Sequence, residues 1–187
     1  EVDEVILGQV LTAGVGQNPA RQAAIKAGLA KESTAMTINQ VCGSGLRAIA
    51  EGMKSIRSGD SRIVIAGGQE SMSLAPHAMH LRGGVKMGDG KLADTMIVDG
   101  SWEAFSQYHM GITAENIATQ FQITREAQDA FSAASQAKAA KAQAEGKFRD
   151  EIVPITIANK KGDILVDKDE FIRPDTTAEA LSKLRPA

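Results

Sequence analysis

Along the first third of the chain, apolar residues come in blocks whose period changes from block to block. Val5-Ile6-Leu7-Gly8-Gln9-Val10 is an apolar run of strand length. Asn18-Pro19 reads as a helix cap followed by proline in the first turn, and the Ala-rich segment Ala20–Ala30 continues as helix, with Gly28 near its end. Met36–Asn39 is a short strand candidate. Gly45–Ser58 carries Leu46, Ile49, Met53 and Ile56 at helical spacing on one face, and Ser58-Gly59-Asp60 ends it. Arg62–Gly68 is a buried-type strand stopped by paired glycines. Strands that alternate with helices predict a parallel sheet covered on both faces.

From Gln69 to Gly111 the pattern loses its period. Pro76, Gly83-Gly84, Gly88, Gly90 and Gly100 interrupt it, and five of the seven Met (Met72, Met79, Met87, Met96, Met110) lie here. So do all three His (His77, His80, His109), the only Trp and the only Tyr. So long an irregular segment tends to be functional.

A third stretch begins near Thr113. Thr124 is placed to cap a helix that runs from Arg125 to a stop at Gly146. Ile152–Ile157 reads as a strand, set at a sheet edge by Pro154. Lys161-Gly162-Asp163 turns it back into Ile164-Leu165-Val166. Thr176-Thr177-Ala178-Glu179 has the form of a capping box before a last short helix ending near Leu184. No internal repeat or low-complexity segment is present.

The 187 residues suffice for a sizeable core, and 43% hydrophobic with 24% charged residues is the balance of a globular chain. The net charge of −2 gives no basic surface for nucleic acid. No apolar run is long enough to span a bilayer, and the acidic start Glu1-Val2-Asp3-Glu4 lacks a signal peptide's basic region, so neither membrane nor secretion is expected and the cytoplasm is the expected compartment. One Cys forms no internal disulfide and excludes a Cys-rich zinc site.

That one cysteine, Cys42, is the candidate for chemistry. It stands in Asn39-Gln40-Val41-Cys42-Gly43-Ser44-Gly45-Leu46, between a predicted strand and a predicted helix. A sharp strand-to-helix elbow needs small residues after the nucleophile, and Gly43, Ser44 and Gly45 supply them. Such an elbow lifts a side chain to the sheet edge at a helix N-terminus, where peptide N–H groups favour a thiolate and an oxyanion. The arrangement is that of a hydrolase nucleophile elbow with sulfur in place of oxygen. Elsewhere a lone Cys is most often a small buried hydrophobe. A phosphate loop is a poorer reading, because no Lys follows the glycines. His77 and His80 have the i,i+3 spacing of helical metal ligands, yet no carboxylate at matching spacing completes a site, and no metal is expected. His109, in Tyr108-His109-Met110-Gly111, is read either as a polar group in a pocket loop or as a structural histidine.

Asn39–Leu46 resembles the nucleophile motif of the thiolases, the acetyl-CoA acetyltransferase group. Ala66-Gly67-Gly68-Gln69-Glu70-Ser71-Met72-Ser73 resembles the strand and turn that follow it. His80–Gly88 and Tyr108–Asn116 resemble the loop-domain signatures of the short-chain, acetoacetyl-CoA-type members. The similarity runs from Val2 to Ala187, and four motifs in order make it specific.

The resemblance implies an α/β fold, a thiolase-like layered half with an inserted irregular α+β loop domain. Residues 1–71 correspond to the core half, without its first strand, and residues 72–187 to a loop domain that stops before its end. Cys42 corresponds to the acyl-accepting nucleophile. It takes the acyl group of a 3-ketoacyl-CoA and passes it to CoA, or takes acetyl from one acetyl-CoA and delivers it to the carbanion of another. Sulfur suits this role, because exchange of one thioester for another is nearly isoenergetic and splits a difficult C–C step into two easier ones. His109 and Met110 match positions beside the pantetheine and acyl pocket. Gln136, Arg173 and Leu184 match positions that contact CoA, and a planar Arg173 cation suits adenine or phosphate. Coenzyme A thioesters are then substrates, and no separate cofactor is implied. The segment from His77 to Thr95 matches the loop through which family members form tetramers, although its Met content also suits plain gap-filling.

The family's later half, with a second Cys, a His and an Asn, has no counterpart here. The chain therefore reads as a thiolase fragment without normal turnover, exposing apolar surface where the other half belongs. Three alternatives stay open. They are a longer-chain 3-ketoacyl-CoA thiolase, a ketoacyl-synthase-type condensing enzyme using carrier-protein substrates, and an inactive scaffold fragment.

Overall fold

The computed structural model describes residues 1–187 throughout, as two compact units, Glu1–Met110 and Gly111–Ala187. The division falls at the start of a helix, and the irregular segment after the last long strand groups with the first unit.

The first unit is built on three parallel strands, β1 (Glu4–Gly8), β2 (Thr34–Ile38) and β3 (Val64–Gly68), in the order β2-β1-β3. Glu4 pairs with Thr34 and Val64, and Gly8 with Ile38 and Gly68, so the three strand ends lie level. Two helices connect them, α1 (Pro19–Lys26) and α2 (Ser44–Ser58). Asn18 caps α1 by accepting the Arg21 N–H, with Pro19 in the first turn. Thr37, beside Leu7 in the sheet register, accepts the Ala20 N–H at 3.0 Å, so α1 covers the Val5 and Leu7 face. Glu4, on the opposite face with Ile6 and Gly8, accepts the Ser55 hydroxyl at 2.8 Å, so α2 covers that side. Burial of both Val5 and Ile6 follows from this two-sided cover.

The helices meet the sheet through small residues. Ala20 and Ala24 of α1, and Ser44, Ala48 and Gly52 of α2, are the buried positions. A Cβ on Gly52 would lie 3.0 Å from Val64 Cγ1, so α2 rests almost on the strand. The apolar face predicted from Leu46, Ile49, Met53 and Ile56 therefore points away from the sheet, with Leu46 76% exposed. Helical spacing identified the face; backbone proximity decided which face goes inward.

Past β3 the first unit continues as short pieces, matching the predicted loss of period. A 3₁₀ turn spans Met72–Leu74. Antiparallel pairs join β4 (His77–Ala78) to β5 (Ala93–Asp94) and β6 (Trp102–Glu103) to β7 (Tyr108–His109), with a π turn at Ile97–Ser101 between them.

The second unit holds α3 (Met110–Gln120, its first residue in the first unit), α4 (Arg125–Ala144), the hairpin β8 (Ile155–Ile157) and β9 (Ile164–Val166), and α5 (Ala178–Ser182). Thr124 caps α4 through Ala127 N–H, as predicted. The cap of α5 is Thr177, not Thr176, so Glu179 falls one position short of a capping box. Arg125 Nε donates to Asp129 Oδ1 at 2.8 Å, and its Nη2 donates to the Leu181 carbonyl, joining α4 to the end of α5. No helix is long and apolar enough to cross a membrane.

Candidate active site

Between the end of β2 and the start of α2 the chain makes a tight elbow, and Cys42 lies on it, exposed. Val41, just before it, has φ +49°. A β-branched residue in the left-handed region is an outlier, costing about 1–3 kcal/mol and persisting only where its surroundings enforce it. The enforcing bonds are local. Val41 N–H donates to Asn39 Oδ1 at 2.9 Å, and the Val41 carbonyl accepts the Ser44 hydroxyl at 2.6 Å and the Ser44 N–H at 3.1 Å. Ser44 Oγ in turn accepts Gln40 N–H at 2.9 Å, and the Gln40 carbonyl accepts Gly43 N–H at 3.1 Å. Ser44 is buried, so this brace is fixed in the unit.

Gly43 is the residue before α2, and no side chain caps the helix there. The positive end of α2 is thus left without a side-chain acceptor beside an exposed thiol. This is a setting for a nucleophilic sulfur and for an oxyanion at peptide N–H groups. The close fit depends on Gly8. A Cβ there would stand 2.5 Å from Ser44 C, 2.6 Å from Ser44 Cβ and 2.7 Å from Gly45 N. Gly43, Ser44 and Gly45 are legible in the local sequence, whereas the demand for a glycine at position 8 comes from the packing of α2 against β1 and has no local signal.

A second tier of bonds holds the loop after β1. Glu70 uses both carboxylate oxygens, accepting Val10 N–H at 2.9 Å and Leu11 N–H at 3.0 Å. Gln9 is buried, donates to the Leu11 carbonyl at 3.0 Å and accepts Gln69 Nε2 at 2.9 Å.

His109 and Met110 stand in the same unit as Cys42. His109 ends β7 opposite Trp102, and Met110 begins α3; both are exposed. The β6–β7 turn is held by Glu103, whose carboxylate accepts the Ser106 and Phe105 N–H groups. Those bonds, the Ser106 one foremost, hold the Glu103 carboxyl below the usual carboxylate range. His77 lies in β4, with Nε2 3.9 Å from Asp94 Oδ2, and His80 lies beyond the strand, so the pair does not form the helical i,i+3 arrangement.

In the second unit, Gln136 and Arg173 meet directly: Gln136 Oε1 accepts the Arg173 backbone N–H at 2.8 Å. Leu184 is exposed and lines a cavity of ≈ 510 Å³ together with Glu115, Thr119, Ile123, Arg125 and Gln128.

The family model described as "Thiolase, N-terminal domain" matches residues 1–187. The chain belongs to the thiolase family. Acetyl-CoA acetyltransferases of Rhizobium meliloti (strain 1021), Shinella zoogloeoides and Paracoccus denitrificans are 64%, 63% and 62% identical to it over 187 residues, which is all of this chain and 48% of each relative. The crystal structure of the Bacillus anthracis acetyl-CoA acetyltransferase superposes with a TM-score of 0.94 at 41% identity, again over all of this chain and 48% of that one. The predicted thiolase-like α/β fold is therefore the fold observed. The thiolase chain spans about half the length of the relatives it matches.

Proposed function

We propose that the protein containing this chain is an acetyl-CoA acetyltransferase that works through an acyl-cysteine on Cys42. One observation carries the reading: the lone cysteine stands exposed on a braced elbow, at a helix start without a side-chain cap, in a chain matching the thiolase N-terminal family throughout. The names of the relatives favour acetoacetyl-CoA over longer substrates.

In the thiolytic direction the Cys42 sulfur attacks the 3-keto carbon of acetoacetyl-CoA. The C2–C3 bond breaks, its electron pair leaves on the acetyl-CoA fragment, and a proton returns to that carbon. The CoA thiolate then attacks the acetyl-cysteine and releases the second acetyl-CoA. The second step exchanges one thioester for another, with the Cys42 sulfur as leaving group, so the acyl-cysteine is neither a trap nor a hill relative to the released acetyl-CoA. His109 and Met110 are assigned beside the reacting end, and Gln136, Arg173 and Leu184 to CoA. Coenzyme A thioesters serve as substrates, with no further cofactor. The core and loop domains are assigned to residues 1–71 and 72–187, and tetramer assembly to the segment from His77 to Thr95, where Met87 is 95% exposed.

The test uses the full-length protein. Brief incubation with acetyl-CoA is expected to add one acetyl group to the Cys42 peptide, which added CoA removes, and Cys42→Ala is expected to abolish both the adduct and thiolysis. Normal thiolysis by Cys42→Ala would refute the assignment.

A further inference from the structure

We propose that Asn39 is a positioning residue for the Cys42 nucleophile, acting through Val41; the inference rests on the acyl-cysteine reading above. Val41 is held at φ +49° although a β-branched side chain disfavours that region. Rotation about its N–Cα bond carries the following peptide, and with it Cys42. Two side chains oppose that rotation from opposite sides of the residue. Asn39 Oδ1 takes the Val41 N–H at 2.9 Å, while the Ser44 hydroxyl holds the Val41 carbonyl at 2.6 Å. Ser44 is buried and fixed to Gln40 N–H at 2.9 Å, so it forms the rigid half of the clamp. Asn39 forms the half that decides whether Val41 stays left-handed. Its Nδ2 reaches the Val10 carbonyl at 3.5 Å, and Val10 N–H is held by Glu70 at 2.9 Å. The amide is thereby steadied from the loop after β1. The acceptor oxygen performs the task and the amide nitrogen only assists, so the two can be separated by substitution.

Asn39→Ala removes the acceptor, whereas Asn39→Asp retains it. Both are made in the full-length protein, beside Ser44→Ala as the other half of the clamp. Two rates are read on folded protein: alkylation of Cys42 by iodoacetamide, and single-turnover acylation of Cys42 by acetyl-CoA. Asn39→Ala is expected to slow both by about 10–100-fold, the loss typical of a reacting group displaced by an ångström, with little change in KM. Asn39→Asp is expected to restore most of each rate, and Ser44→Ala to slow both. Wild-type rates in Asn39→Ala, or an equal loss in Asn39→Asp, would overturn the proposal. If wild-type Cys42 alkylates readily but accepts no acetyl group, the acyl-cysteine reading has failed instead. Should Asn39→Ala not fold, the Asn39→Asp and Ser44→Ala rates still decide: the proposal requires the first near wild type and the second reduced.

Discussion

Gln136, on α4, accepts the backbone N–H of Arg173, 37 positions later, at 2.8 Å. The bond fixes the chain at Arg173 without using its guanidinium, which stays available to a ligand. Gln136→Ala is expected to raise KM for CoA by roughly 2–10-fold, the worth of one hydrogen bond, with kcat little changed. In an Arg173→Ala background the same substitution is expected to have a smaller effect, because the cation it positions is gone and only its own contact with CoA is lost. Steady-state kinetics of the four proteins check this, and additive losses would contradict it.

Gly8 is fixed by the backbone of α2 and not by a flexible side chain. Gly8→Ala is expected to push the helix start off the strand, destabilise the full-length protein by about 1–3 kcal/mol, and slow acylation of Cys42. Urea denaturation together with mass spectrometry of the Cys42 peptide measures both effects.

The outward face of α2 carries Leu46, Ile49, Met53 and Ile56, all exposed. A polypeptide of residues 1–187 expressed alone is expected to self-associate through this face and to show no thiolysis. Leu46→Lys with Ile49→Lys is expected to shift it toward monomer in sedimentation velocity without loss of helical circular dichroism.

Asp3 joins the strand bases by accepting Ile63 N–H at 2.9 Å and Arg62 N–H at 2.8 Å. These bonds, Ile63 first, favour the charged form and hold the Asp3 carboxyl below its usual range. A depressed value in the folded state adds stability that is complete above the unfolded value of about 3.9 and is lost as pH falls through the folded value. Denaturation midpoints of wild type and Asp3→Asn are therefore expected to differ at neutral pH and to converge in acid. A gap that stays constant into acid would exclude the assignment.

Where local chemistry decides the structure, the residues could be read directly. Asn18-Pro19 and Thr124 cap their helices as predicted, because a cap needs only its own turn. The strands β1, β2 and β3 and the elbow at Cys42 were visible in the alternation of apolar runs and small residues. Helix α3 was not, because Gly111 and the β-branched Ile112, Thr113, Ile117 and Thr119 give it poor intrinsic propensity. The inward face of α2 was hidden for another reason. Gly52 and Ala48 matter for what they leave out, and only the neighbouring strand shows how little room there is. In the candidate site, Cys42 is singled out by its sequence context, and the structure places it exposed on the elbow. The work of Asn39 and Ser44 depends on a left-handed Val41, which no residue pattern specifies.

The left-handed conformation of Val41 is expected to set protein lifetime against turnover at a single position. Glycine adopts the same backbone angles at no steric penalty, so selection for heat tolerance alone would favour replacing the valine. Glycine keeps the backbone bonds to Asn39 and Ser44 but widens the conformations open to the peptide ahead of the sulfur, so catalytic output is expected to fall as endurance rises. A library screened separately for survival on heating and for product formation should rank residue 41 in opposite orders.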